Sequence, residues 1–62
     1  MTIPDTVDAK QAETVAAALE AAGLTWESAN ALSDADIKDR TDGIGAGRIT
    51  LIRTVGAANN FP

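Results

Sequence analysis

The sequence contains no cysteine, no histidine and no tyrosine. Without cysteine there is neither a disulfide framework nor a thiolate metal site. Without histidine the commonest general base and the commonest metal ligand are both missing. With only 62 residues available to shape a pocket, the chain is expected not to be an enzyme, and no catalytic residue, metal or cofactor is expected. Asp34 and Asp36 do not rescue such chemistry, because carboxylates two residues apart on a helix do not share a face. Long apolar runs are also lacking: nothing approaches the roughly 20 residues needed to span a bilayer. The start, MTIPDTVDAKQ, has neither the basic nor the apolar region of a signal peptide. A soluble, non-secreted, cytoplasmic domain with no membrane partner is the expectation. Cations are few, five Lys and Arg against nine Asp and Glu for a net charge of −4, which by itself disfavours a nucleic-acid partner.

What the chain has instead is alanine, 13 of its 28 hydrophobic residues. Trp26 and Phe61 are the only aromatics. This balance favours closely packed helices over a sandwich or barrel. A lone tryptophan in so small a chain suits the centre of the core, although a helix start leaves room for one exposed ring edge. The charge is unevenly spread. Residues 1–37 carry Asp5, Asp8, Glu13, Glu20, Glu27, Asp34 and Asp36 against Lys10 alone, whereas residues 38–62 carry Lys38, Arg40, Arg48 and Arg53 against Asp39 and Asp42. The net values are −6 and +2, and such asymmetry points to where an anionic partner would sit.

The pattern reads as one helical domain over 1–62, with 1–6 and 58–62 as terminal segments. Ala12, Val15, Ala18, Leu19 and Ala22 form an apolar stripe, which predicts a first helix at about 8–22. Asp5, Thr6 or Asp8 can cap its start, Asp8 with Gln11 giving the form of a capping box, and Gly23 followed by Leu24 is a stop signal. Thr25 caps a short second helix from Trp26, with Ala29 and Leu32 facing inward. Ser33, with Asp36 three residues on, opens a third that carries Ile37 and ends near Arg40. The last helix runs from about Ala46 to Ala57 with Ile49, Ile52 and Val55 buried; Gly56 weakens its end, and the tail beyond is frayed or docked.

Between the third and last helices lies Asp42-Gly43-Ile44-Gly45-Ala46-Gly47-Arg48, in which glycines alternate. A glycine-shaped turn feeding a helix N-terminus presents backbone N–H groups to an anion, phosphate above all. The segment Gly43-Ile44-Gly45 between two helices, with Ile44 as a buried tip and Ile49 and Ile52 as core positions of the second helix, resembles the helix-hairpin-helix motif. Upstream, Leu19 to Thr25 and Ala31 to Ile37 are similar to the preceding part of such domains, so the resemblance covers roughly residues 15–55. Domains of this kind occur in RecA-like recombinases and in the C-terminal domain of the bacterial RNA polymerase alpha subunit. They share a fold neighbourhood with SAM domains, which Leu32 to Ile37 and Gly47 to Ile52 also resemble. The resemblance implies an all-α fold of four or five short helices, helix-hairpin-helix or SAM-like. It permits a monovalent cation on the hairpin carbonyls. Two positions depart from the family pattern: Thr41 replaces an apolar residue and Asp42 replaces a proline, putting a negative charge beside the proposed phosphate site.

Two readings of the turn stand open. In one, Gly43, Ile44, Gly45, Ala46, Gly47 and Arg48, assisted by Arg53, Arg40 and Lys38, hold the DNA phosphate backbone without base readout. In the other, the turn is an interhelical corner that needs glycine for positive φ, and the chain is an adaptor, an oligomerisation domain or a phage-particle component that contacts another protein or itself. Arg48 divides the same way, either meeting an anion or pairing with Asp42 or Asp39. Lys38 and Arg40, flanking Asp39, are expected to be solvated.

Overall fold

A computed structural model describes residues 1–61 as four helices without a strand. They are α1 (Ala9–Ala21), α2 (Trp26–Asn30), α3 (Asp34–Arg40) and α4 (Ala46–Ala58). The first three begin as their local chemistry dictates. The Asp8 carboxylate accepts from the backbone N–H groups of Lys10 and Gln11 at 2.8 and 3.1 Å. Gln11 does not close the box on Asp8, because its side chain turns to Arg48 instead. The full reciprocal box is at α2, where Thr25 Oγ1 accepts from Ser28 N–H and Ser28 Oγ accepts from Thr25 N–H. At α3, Ser33 Oγ accepts from Asp36 N–H, and no return bond from the Asp36 carboxylate forms.

The end of α1 is the expected glycine stop. Gly23 adopts φ +73°, Leu24 N–H donates to Leu19 O at 2.8 Å, and Gly23 N–H donates to Glu20 O. The same device ends α4, but with asparagine in the left-handed position. Asn60 has φ +57° and Phe61 N–H donates to Gly56 O at 2.9 Å. Asparagine tolerates this conformation better than other non-glycine residues, so the tail docks as far as Phe61, Pro62 lying outside the described residues.

Helix α4 is the axis of the molecule, packed on α1, α2 and α3. A helix covered on three sides cannot show one clean apolar stripe: Ile49, Ile52, Val55 and Gly56 are buried, while Leu51, Arg53 and Thr54 are half-buried. Gly56 costs helix propensity at this helix end, but packing leaves no room for a side chain. It lies against α2, and a Cβ added there would strike the side-chain amide of Asn30, whose Nδ2 donates to Trp26 O at 2.9 Å and Ile52 O at 3.1 Å. Val15, Ala29, Ile37, Ile52 and Val55 are wholly buried, with Leu19 and Ile44 nearly so. Burying each larger member contributes about 1.5–3 kcal/mol. Trp26 is not at the centre. It is half-buried at the rim of this cluster, because the centre is already filled by aliphatic side chains from all four helices and the hairpin.

Candidate functional site

The hairpin between α3 and α4 is built from both ends. Thr41 caps α3: its backbone N–H and its Oγ1 both donate to Ile37 O, at 3.0 and 2.6 Å. This explains how a polar threonine occupies a buried position. With its hydroxyl satisfied inside, Thr41 is buried at 8% exposure without an unpaired polar atom. Gly43 then takes φ +81°, a backbone conformation that side-chain-bearing residues rarely adopt, and Ile44 drops into the core at 4% exposure.

The other two glycines answer to a different logic. Gly45 is extended (φ −97°, ψ −175°) and Gly47 is helical, and a Cβ built on either meets nothing within 4 Å. Neither positive φ nor internal packing therefore requires glycine at these positions, contrary to the expectation for the turn as a whole. Gly45 is the N-cap of α4, and α4 alone among the four helices lacks a side-chain cap bond. The N–H groups of Gly43, Ile44, Gly45, Ala46 and Gly47 donate to no acceptor among the described residues. The first bonds of the helix are Arg48 N–H and Ile49 N–H to Gly45 O. In an α-helix the leading N–H groups point out of the N-terminus with the positive end of the dipole. The result is a run of unused donors with open space over Gly45 and Gly47.

The four cations singled out from the sequence do not act together. Arg48 lies along the hairpin, donating through its terminal nitrogen to Gly43 O at 2.8 Å and through Nε to Gln11 Oε1 at 3.4 Å. It pairs with neither Asp39 nor Asp42. Together with Gly43, Gly45, Gly47, Gln11 and Leu51 it lines a shallow depression at the start of α4. Lys38 is exposed on the other side of that helix end, sharing a groove with Ala46, Thr50, Asp34 and Arg53. Arg40 is exposed and shares a small cleft with Asp42 and the end of α1.

Arg53 is half-buried and lines the same groove as Lys38, but its guanidinium is already engaged by the protein itself. Its guanidinium donates to Asn30 O at 2.8 Å, Leu32 O at 2.6 Å and Asp34 Oδ1 at 2.7 Å, tying α4 to the turn between α2 and α3. The Asp34 contact is the one ion pair among the described residues. Arg53 accordingly acts as a structural clamp. Gln11, which the sequence did not single out for the site, joins it from α1. The only prior signal was its position beside the Asp8 cap.

Among the described residues, no group of three or more His, Cys, Asp or Glu is placed to hold a metal ion, and no helix is long and apolar enough to cross a membrane. Compared with known proteins, the chain matches no family model, no curated protein and no solved structure.

Proposed function

We propose that this chain is a non-enzymatic binding module that holds nucleic acid by its phosphate backbone at the Gly43–Arg48 hairpin, without reading base sequence. The observation that carries this reading is the start of α4, where unused N–H donors lie beneath two glycines that neither backbone conformation nor internal packing explains. Glycine in the first turn of a helix sacrifices stability relative to alanine. That sacrifice is understandable if another molecule must approach the backbone closely. Arg48 on one side and Lys38 on the other supply the long-range attraction, and the Arg48 position, mildly disfavoured by the helix dipole, becomes favourable once an anion is bound. Asp42 and the net charge of −4 oppose it, so binding is weak, near the loose end of the roughly 10⁻⁴ to 10⁻⁶ M range of non-specific complexes.

Fluorescence anisotropy of a short labelled duplex tests the proposal. Binding at low ionic strength should fall with salt along a log–log slope of about −2, the value for two phosphate-neutralising cations. Arg48→Ala should bring the slope to about −1 and weaken all sequences alike. Absence of any anisotropy change at low salt would sink the reading. Concentration-dependent sedimentation without DNA binding would favour the protein-contact alternative, for which the exposed apolar surface described next is the specific observation.

A further inference from the structure

On the flank of α1 away from the hairpin lies an apolar groove of about 280 Å³. Gln11, which faces Arg48, and Glu13, which lines the groove, are two residues apart and so about 200° apart around the helix. Ala9, Ala12 and Ala16 of α1 line it with small side chains, and Trp26, Met1 and Ile3 line it with large ones. Met1 and Ile3 are the exposed large hydrophobic residues of the described chain, at 70% and 36%. The segment that carries them is pinned. Thr2 N–H donates to Asn59 Oδ1 at 2.8 Å, and Asn59 Nδ2 donates back to Thr2 O at 2.7 Å. An exposed apolar segment held in place by a reciprocal pair of hydrogen bonds is a surface shaped for contact.

We propose that this groove docks a basic amphipathic helix of another protein. The alanine lining is made of methyl groups, so a helix can approach closely, and its anchor side chains meet Trp26 and Ile3. A metabolite fits poorly, since the only ionisable side chain in the lining is Glu13 and no cluster of polar groups converges there to orient one. The rim sets the partner's charge. Glu13 lies in the groove, Glu20 follows on the same face of α1 two turns on, and Glu27 follows Trp26, all exposed. Lys10 is the single opposing cation within residues 1–37. Complementarity therefore calls for lysine or arginine flanking the partner's apolar stripe. A two-fold pairing of this chain with itself would set these same carboxylates against one another.

The sole tryptophan lines the groove, so its fluorescence reports occupancy by any tryptophan-free peptide. The probe is a synthetic helical peptide with leucine along one face and lysine on its flanks, titrated into the full chain. A saturable change in Trp26 emission is expected, weakening as salt is raised and absent for a peptide of equal charge whose leucines are replaced by glutamine. Ala16→Glu, in the partly exposed alanine lining, should weaken binding about tenfold or more, with an unchanged far-ultraviolet circular dichroism spectrum showing that the fold is kept. Glu13→Lys with Glu20→Lys should shift preference towards a glutamate-flanked peptide, in a variant where the alanines are untouched. No saturable change, an equal response to the glutamine-faced peptide, or dimerisation of the chain that excludes the peptide would each overturn the proposal.

Discussion

Replacing Arg53 by alanine removes the clamp between α4 and the α2–α3 turn, and its cost can be worked from the bonds it makes. Two charge-assisted bonds to main-chain carbonyls, at 2.8 and 2.6 Å, are worth about 1.5–3 kcal/mol each in the protein interior. Both are only partly buried, so water replaces some of what is lost, and the lower end applies. The contact with Asp34 adds under about 1 kcal/mol, because that carboxylate is 69% exposed and screened. A loss of about 3 kcal/mol is the result. Against a total of roughly 3–9 kcal/mol for a domain of this length, that brings the chain to the edge of unfolding. The midpoint of thermal unfolding should fall by about 12–24 °C, followed by circular dichroism and by Trp26 emission in parallel. Asp34→Ala, which leaves both carbonyl bonds in place, should cost no more than about 1 kcal/mol. Arg53→Lys should recover less than half of the loss, since one ammonium cannot serve two carbonyls and a carboxylate in the fork geometry of a guanidinium. If Arg53→Ala and Asp34→Ala lower the midpoint by the same small amount, the guanidinium is not holding the turn and the reasoning fails.

Two other glycine substitutions should move stability in opposite directions. Gly56→Ala gains about 1 kcal/mol of helix propensity but drives a methyl group into Asn30. Displacing that amide breaks its bonds to Trp26 O and Ile52 O, so a net loss of about 2 kcal/mol is expected in urea unfolding. Adding Asn30→Ala should relieve the collision, seen as a coupling energy above about 0.5 kcal/mol in a double-mutant cycle. Gly47→Ala meets nothing within 4 Å and should stabilise the chain by about 0.5–1 kcal/mol. The same variant should weaken duplex binding severalfold in the anisotropy assay, and unchanged binding would mean that no phosphate approaches that backbone.

The parts of the fold that follow from local chemistry were legible in the sequence. Asp8, Thr25 and Ser33 cap their helices, and Gly23 with Leu24 stops α1, because these devices act within a few residues. What escaped depends on partners far along the chain. Arg53 looked like a free cation because its acceptors are carbonyls 21 and 23 residues away, and every residue carries a carbonyl. Gly56 looked like a helix breaker because its partner is the Asn30 amide of another helix. Trp26 was misplaced because the aliphatic residues that fill the centre come from elements whose mutual packing the pattern does not specify. At the hairpin, the alternating glycines marked a turn and the buried Ile44 followed from the motif resemblance, whereas Gln11 joins the site only through the way α1 lies against α4.

The bond pair between Thr2 and Asn59 has a kinetic consequence. It spans 57 residues, the longest separation of any hydrogen bond among the described residues, against 22 for Asn30 to Ile52. Loop closure over that span costs only about 0.8 kcal/mol more than the shorter one. The pair is nonetheless exposed to solvent, so it belongs to the least protected part of the structure. Neither Thr2 nor Asn59 lies within a helix, so the pair is expected to open without unfolding one. Amide exchange at Thr2 should therefore be far faster than at Ile52 while still slower than in a free peptide. Each such opening carries Met1 and Ile3 away from α1, so part of the lining of the apolar groove is lost and restored on the timescale of that opening, with the core intact throughout.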